Sequence, residues 1–247
     1  MPLPADAAPS HLLLDDLPAP GERRTIMGDE AHYLARVCRA RPGDHAHATD
    51  GRGGLARVHI VDLRPDVVIE GETLDRGTPA RTAWVLCGPP EGERGDWMIE
   101  KLAELGVAVL VPVNCERGGW ADRDARATRW RRLAVAALRQ SRRRFLMEIR
   151  PPLSLSQVGP ELPPEGSRYL ADPTGRPAGG WAPRATGGSI ALVGPSEGLS
   201  RAEKDFSSGL GFEPIRLSGA RLRAETAAVA WAAWWTAGDS APGFETV

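Results

Sequence analysis

Apolar and polar residues alternate along three segments of the first third of the chain, at residues 11–14, 45–63 and 67–74. This period of two is typical of strands that bury one face. Asp50-Gly51 lies within the longest segment and indicates a tight hairpin turn. Between the first two segments, Glu30 to Cys38 places its apolar residues on one helical face, which predicts a short helix. The pattern predicts a small β-barrel domain over residues 1–74.

After a linker at residues 75–81, the pattern changes to an alternation of buried strands and amphipathic helices. Helices are predicted over residues 96–105, which Gly106 ends, and over residues 126–142. Strands are predicted at residues 82–88, 107–113, 169–170 and 190–194, and around residue 215. The short strand at 169–170 is expected to end at Asp172-Pro173. Because strands and helices in alternation form a parallel sheet covered on both faces, the second domain, residues 80–247, is predicted to be α/β and Rossmann-like.

Two loops near the end of the chain carry the most informative chemistry. The apolar run Ile190–Val193 leads into Gly194-Pro195, and a second strand leads into the loop Ser218–Ala220. Each loop opens onto a helix. Such loops bind small ligands in α/β folds because free backbone N–H groups and helix N-termini converge there. The spacing does not fit the common nucleotide motifs, since the chain has no G-x-G-x-x-G and no Walker lysine.

Composition limits the chemistry available to these loops. All five histidines fall within the first 59 residues, so a Ser-His-Asp triad or a histidine metal site in the second half is excluded. The three cysteines are widely spaced and odd in number, which indicates reduced thiols in the cytoplasm rather than a disulfide scaffold or a zinc site. The chain has no apolar run long enough to span a membrane, and its first residues lack the pattern of a signal peptide.

The distribution of charge indicates a nucleic-acid partner. The formal net charge is −1, but residues 123–150 contain ten arginines against two acidic residues. Residues 1–78, in contrast, contain nine arginines against thirteen acidic residues. A concentrated basic segment inside a neutral protein is typical of contacts with phosphates. A solvated helix face explains the same pattern, because arginine provides nearly all the positive charge of this chain.

The two loops and the helices after them resemble a known pair of motifs. The sequences GPSEGLS at residues 194–200 and RLRAETAA at residues 221–228 are similar to the signature of the SPOUT (trefoil-knot) methyltransferases, and within these of the RsmE family. Three further segments resemble that family, at residues 97–107, 111–117 and 136–151. The sequences RVCRARPGD and DGRGG resemble its small N-terminal barrel. The likeness covers nearly the whole chain.

This resemblance implies a SPOUT-type trefoil-knotted α/β methyltransferase domain preceded by a PUA-like, RNA-binding β-barrel. The implied activity is S-adenosyl-L-methionine-dependent methylation of uridine N3 in the 16S ribosomal RNA of the small subunit, by a homodimer without a metal. Arg223 and Glu225 are the implied catalytic residues. The implied donor-binding residues are Ala171, Asp172, Pro173, Val193, Gly194, Pro195, Glu197, Gly198, Leu217, Ser218, Leu222 and Thr226. The implied RNA contacts are Gln140, Arg142 and Arg143.

Each of these residues also has a structural interpretation. Glu225 and Thr226 would cap a helix N-terminus, Arg223 would form a surface ion pair, and the RNA candidates would stabilise a helix C-terminus.

The chain also departs from the family pattern. Ser196-Glu197 stands where the family has Glu-Gly, Arg142 where it has Gly, and His11 where it has an early arginine. The first departure motivates an alternative function, a non-catalytic RNA-binding or ribosome-assembly protein of the same fold.

Overall fold

The chain changes from one folded unit to another at residue 80 and returns once to the first unit. In the computed structural model, which describes residues 10–79, 81–120, 124–178 and 187–237, unit 1 comprises residues 1–79 and 138–146. Unit 2 comprises residues 80–137 and 147–247. The sequence predicted the change near residue 80, whereas the return of residues 138–146 to the first unit had no local signal. The outer ends of the two predicted domains lie outside the described residues.

Unit 1 is built on a five-stranded sheet with the order β1-β3-β4-β5-β2. Its strands are β1 (Ser10–Leu13), β2 (Arg23–Ile26), β3 (His45–Thr49), β4 (Gly54–Asp62) and β5 (Val67–Arg76). Strand β1 pairs parallel with β3, and the other pairs are antiparallel. The alternation predicted from the sequence is present, because Ala46, Val58 and Ile69 are fully buried while their neighbours along the strands are partly exposed.

The predicted hairpin turn joins β3 to β4. Gly51 has a φ of 72°, which a glycine adopts without steric cost. The Asp50 carboxylate accepts hydrogen bonds from the backbone N–H groups of Arg52 (2.7 Å) and Gly54 (2.9 Å). The helix predicted over residues 30–38 begins slightly earlier, as α1 (Gly28–His32), and continues as a π-helical turn over Tyr33–Val37.

Residues 138–146 form hydrogen bonds with residues of this sheet and of its hairpin turn. The Thr49 hydroxyl donates to the carbonyl of Arg144 (2.8 Å), and the Leu146 N–H donates to the carbonyl of Gly51 (2.9 Å). The His11 ring lies with Nε2 3.0 Å from the carbonyl oxygen of Arg143. The hairpin turn therefore holds this arginine-rich segment as an integral part of unit 1.

Unit 2 contains a parallel sheet with the order β12-β10-β11-β6-β7-β8, and β9 pairs with β7. The strands are β6 (Arg81–Cys87), β7 (Val109–Asn114), β8 (Glu148–Ile149), β9 (Leu153–Ser154), β10 (Ser167–Pro177), β11 (Gly187–Val193) and β12 (Glu213–Arg216). The helices are α2 (Arg94–Leu105), α3 (Asp124–Ser141), α4 (Arg201–Gly209) and α5 (Ala224–Thr236). The alternation of strands and helices that the sequence predicted is confirmed. Helix α2 ends as expected, with Gly106 in the left-handed conformation.

Strand β10 is longer than the sequence predicted. It does not end at Asp172-Pro173 but continues to Pro177, after a shift of register between Ala171 and Arg176. The strand resumes because Gly175 lies against the neighbouring strand, where a Cβ atom would come within 2.5 Å of the backbone nitrogen of Ile215. The prediction failed because Asp-Pro usually marks a turn, and only the pairing with β12 extends the strand.

The tryptophans of helix α5 lie mostly inside unit 2. Trp231 and Trp235 are buried and stacked, with ring centroids 6.3 Å apart, and the Trp234 ring packs edge-on against Tyr169 at 5.7 Å. These apolar contacts join the helix to the sheet. None of the helices in the described part of the chain is long and apolar enough to cross a membrane.

Candidate functional site

Three connections meet at one edge of the unit 2 sheet. Strands β10, β11 and β12 are neighbours and parallel, so their carboxyl ends lie side by side. The irregular part of β10 after Ala171, the loop from Gly194 to Ser200 and the loop from Leu217 to Arg223 therefore converge. A hydrogen bond from Arg221 Nη2 to the carbonyl oxygen of Ser196 (3.2 Å) joins the two loops. The structure thus brings together the segments that the sequence proposed for donor binding.

The first loop contains a tight turn with an unstrained Glu197. The N–H of Gly198 donates to the carbonyl of Pro195 (2.8 Å), and Gly198 has a φ of 78°. Among the described residues only Arg39 and Arg142 have a positive φ without being glycine, so Glu197 does not occupy the left-handed region. The departure from the family pattern at Ser196-Glu197 therefore places no side chain in a disfavoured backbone conformation.

A capping box begins helix α4 immediately after this loop. The Ser200 hydroxyl accepts from the backbone N–H of Glu203 (3.2 Å), and the Glu203 carboxylate accepts from the N–H of Ser200 (2.8 Å). The other carboxylate oxygen of Glu203 accepts from the N–H of Glu116, just after β7 (2.8 Å). Glu203 thus joins the end of the loop at Ser200 to the backbone that follows β7. The S-x-x-E pattern was visible in the sequence and was overlooked.

The connection after β6 packs closely against the same loop. A Cβ atom on Gly88 would lie 2.5 Å from the backbone nitrogen of Pro195, and the Gly88 N–H donates to the carbonyl of Val193 (2.8 Å). The Trp120 indole donates to the carbonyl of Cys87 (2.8 Å). Only glycine permits this approach, so Gly88 packs directly against the loop from Gly194 to Ser200. Neither Gly88 nor Trp120 belongs to a motif that would have marked it in the sequence.

Asp172 is buried, and both of its carboxylate oxygens accept hydrogen bonds. Its carboxylate accepts hydrogen bonds from Lys204 Nζ (2.6 Å) and from the hydroxyl (2.6 Å) and N–H (2.8 Å) of Thr174. Burial by itself would raise the pKa of Asp172, but these donors outweigh it and hold the pKa below its ordinary value. The side chain therefore stabilises the irregular part of β10. Ala171 is half-buried beside it and Pro173 is exposed.

The second loop ends at the two predicted catalytic residues, which lie in different environments. Arg223 is the N-cap residue of α5 and is exposed, and its side chain has no hydrogen bond or ion pair within the described residues. Glu225 is only 4 % exposed. Its Oε1 lies 3.6 Å from Nη1 of Arg94, and its Oε2 has no hydrogen-bond partner in the part of the chain that the structure describes. Thr226 is exposed on the first turn of the helix.

The remaining residues proposed for donor binding line the loops. Val193 and Pro195 are buried, Gly194 is half-buried, and Leu217, Ser218 and Leu222 are partly exposed. The Ser218 hydroxyl accepts from the N–H of Ala220 (3.1 Å), which shapes the second loop. Arg94, which faces Glu225, was missed because nothing near it in the sequence indicates a partner so distant along the chain.

The three predicted RNA contacts lie in unit 1 and are considered there alone. Gln140 is exposed, and Arg142 and Arg143 are half-buried at the end of helix α3. Several arginines of the basic segment instead form structural ion pairs, namely Arg129 with Asp96, Arg139 with Glu30, Arg144 with Asp75, and Arg150 with Glu148 and Glu161. The solvated-face interpretation therefore holds for part of this segment. Arg123 lies outside the described residues.

Comparison with known proteins identifies the family. The family model described as RNA methyltransferase domain matches residues 78–236, and the one described as RNA methyltransferase PUA domain matches residues 26–70. A protein from Mycobacterium bovis called ribosomal RNA small subunit methyltransferase E is 30% identical over 235 residues, which cover 87% of this chain and 86% of that protein. The chain belongs to this family of RNA methyltransferases. A Synechocystis protein of the same name is 28% identical over 222 residues, 82% of this chain and 69% of its own length.

Solved structures agree on the fold. Ribosomal RNA small subunit methyltransferase E from Neisseria gonorrhoeae, bound to S-adenosyl methionine, superposes with a TM-score of 0.83 at 22% identity, covering 92% of this chain and 96% of that chain. A probable rRNA-methyltransferase from Porphyromonas gingivalis gives 0.78 at 26% identity, covering 93% and 98%. The predicted SPOUT-type α/β fold with a PUA-like front unit and the resemblance to the RsmE family are confirmed. The predicted domain boundaries and site residues stay predictions.

Proposed function

We propose that this protein transfers a methyl group from S-adenosyl-L-methionine to N3 of a uridine in the 16S ribosomal RNA of the small subunit. The observation that carries the proposal is the convergence of both motif loops at one sheet edge, with an exposed arginine at the start of α5. Membership of an RNA methyltransferase family and the names of its relatives support the reaction class.

The residues around the loops fit an adenosyl donor. A Cβ atom on Gly198 or Gly219 would meet nothing within 4 Å, so both glycines border open space. Half-buried Leu217 and Leu222 offer apolar contact to a base, and exposed Pro173 lies in the part of β10 where the register shifts. In this proposal, residues 171–173, 193–198, 217–218, 222 and 226 hold the donor.

Methyl transfer to uridine N3 removes the positive charge from the sulfur of the donor and a proton from N3. The donor, when bound, supplies an electrophilic methyl group on a positively charged sulfur. Uridine N3 carries a hydrogen, so the nucleophile forms only as that proton leaves. Arg223 is suited to stabilise the negative charge that develops on the uracil oxygens, because its guanidinium is exposed and unpaired within the described residues. The N3–H proton passes to solvent, and the new N–C bond replaces the broken S–C bond.

We assign Glu225 a positioning role within this mechanism. A side chain that is 4 % exposed and faces Arg94 has little access to a substrate. It anchors the first turn of α5, and thereby the N-cap residue Arg223. This differs from the catalytic role that the resemblance implied, in which Glu225 would touch the substrate, for instance as a proton acceptor. The difference can be tested, since a proton acceptor and an anchor respond differently to Glu225→Gln.

We further propose that Gln140, Arg142 and Arg143 contact the RNA and that the protein acts as a homodimer in the cytoplasm. The three free cysteines, Cys38, Cys87 and Cys115, support a reducing compartment. Light scattering after size-exclusion chromatography tests the dimer. A molar mass equal to that of one subunit would contradict it.

Methyl transfer to defined RNA tests the proposed function. The purified protein is incubated with S-adenosyl-L-methionine carrying a labelled methyl group, and with either free 16S transcript or small subunits that lack the modification. Nucleosides are then separated by mass spectrometry. We expect label in 3-methyluridine. Label in another nucleoside would overturn the proposed target atom, and donor binding without transfer to either RNA would favour the non-catalytic alternative.

A further inference from the structure

Helix α3 ends in a turn that favours glycine but contains an arginine. The Arg143 N–H donates to the carbonyl of Leu138 (3.1 Å), and the Arg142 N–H lies 3.4 Å from the carbonyl oxygen of Arg139. This pair of bonds defines a Schellman motif, in which the residue after the cap adopts the left-handed conformation. That residue is Arg142, with a φ of 54°. A Cβ atom is disfavoured there, and the family pattern has glycine at this place.

The helix terminus alone does not explain why an arginine is tolerated. Positive charge is favourable near a helix C-terminus, but residues 138–146 already contain Arg139, Arg143 and Arg144. Arg139 forms an ion pair with Glu30, and Arg144 forms one with Asp75. Arg142 has no hydrogen bond or ion pair of its side chain within the described residues. Its charge is therefore available for a partner outside the chain.

The surroundings of Arg142 in unit 1 suit an anion. His11, His47 and Arg57 are cross-strand neighbours on β1, β3 and β4, and the Arg143 carbonyl oxygen lies 3.0 Å from the His11 ring. Burial lowers the pKa of His47, and the charges of Arg142 and Arg57 lower it further. Glu72 on β5 forms an ion pair with Arg57 (2.9 Å), so the charge of Arg57 is neutralised. The guanidinium of Arg142, in contrast, has no ion pair within the described residues.

We propose that Arg142, with the imidazole of His47 near it, forms a phosphate-binding site that holds the RNA backbone against unit 1. The proposal rests on the proposed function and adds where the RNA strand binds. A guanidinium matches the geometry of a phosphodiester. The strained conformation is retained because the charge binds RNA, in accordance with the tendency of strained residues to occur at functional sites.

The salt dependence of RNA binding provides the test. Affinity of a labelled 16S fragment is measured by fluorescence anisotropy at several salt concentrations, for the unchanged protein and for Arg142→Gly, Arg142→Lys and Arg23→Gln. Arg23 is a matched control, because it lies on β2 at the opposite edge of the sheet and its loss changes the net charge equally. Thermal unfolding is recorded for each variant.

We expect Arg142→Gly to raise the unfolding temperature and yet to weaken binding about five- to tenfold, as loss of one charged contact does. The slope of log affinity against log salt should fall by about 0.7–0.9, the value for one phosphate. Arg142→Lys should retain the slope, and Arg23→Gln should change neither quantity. Equal affinity and slope in Arg142→Gly and the unchanged protein would overturn this site while leaving methyl transfer intact. Absence of RNA binding by the unchanged protein would overturn both proposals.

Discussion

Arg94 on helix α2 lies against Glu225 on helix α5, with Nη1 3.6 Å from Oε1. The Glu225 side chain is 6% exposed and that of Arg94 is 41% exposed, so one end of the pair is buried and the other reaches the surface. Among the described residues, neither Arg94 Nη1 nor Glu225 Oε2 has a hydrogen-bond partner. The contact joins the first turns of two helices that begin at the edge of the sheet where we propose that the donor binds.

Removing either partner of this pair should destabilise the fold. Arg94→Met would leave the Glu225 carboxylate buried without a counter-charge, at a cost of about 2 kcal/mol of unfolding free energy, less than for a fully buried pair. Glu225→Gln should cost less, because the charge itself is removed. Urea unfolding of the single and double variants measures the coupling, with Arg94→Lys as the charge-retaining control. Strictly additive losses would show that the two residues do not interact.

The role of Arg223 can be separated from stability. Arg223→Ala should lower the turnover of methyl transfer about 100-fold, the loss typical of a group that stabilises developing negative charge. The unfolding free energy should change by no more than about 0.5 kcal/mol, because the side chain is exposed. Arg201→Ala on α4, where the side chain is 96% exposed, is the matched control. Equal turnover of the Arg223→Ala variant and the unchanged protein would remove Arg223 from the mechanism.

Substitution of the two central residues of the first loop should have different effects on donor binding. Glu197→Gly, which restores the family residue, should leave the affinity for S-adenosyl-L-methionine within about twofold, since Glu197 is not in the left-handed region. Gly198→Ala should destabilise the turn by about 1 kcal/mol and weaken donor binding, because its φ is 78°. Calorimetric titration of both variants tests this. A large gain in affinity on Glu197→Gly would contradict our account of the loop.

His11 should make unit 1 sensitive to acid. Burial lowers its pKa from 6.5 to about 4, and the hydrogen bond with the Arg143 carbonyl opposes the shift only in part. Below pH 6.5 the unfolded chain takes up a proton that folded His11 does not. The contribution of neutral His11 to the free energy of unfolding is therefore fully present above that pH and is lost as the pH falls towards 4. The expected loss is about 2–3 kcal/mol.

Substitution of His11 distinguishes its contribution to the pH dependence of the unfolding free energy from the contribution of the carboxylates. His11→Gln should flatten the dependence of unfolding free energy on pH between 6.5 and 4. His32→Gln, at an exposed histidine, should retain it. If the His11→Gln variant kept the full slope, the titration of another group would have to explain it.

The period of the hydrophobic pattern was sufficient to predict most elements, because it depends on neighbours within one strand or helix. The alternation at residues 45–63 predicted β3 and β4, and Asp50-Gly51 predicted the turn between them. The apolar runs that precede Gly194 and Ser218 predicted two loops at strand ends. The two loops converge because β11 and β12 lie on either side of β10 in one parallel sheet, which places their carboxyl ends at one edge. The tertiary structure decided this strand order.

Contacts between distant parts of the chain decided the rest. The extension of β10 to Pro177 depends on pairing with β12, and the burial of Glu225 depends on Arg94, so neither has a sequence pattern of its own. Residues 138–146 join unit 1 because the hairpin turn at Gly51 binds them, although residues 138–141 are the last turn of helix α3, which begins in unit 2. Local sequence specifies which elements form. Only the tertiary structure decides which of them meet, because hydrogen bonds, ion pairs and apolar burial act through space rather than along the chain.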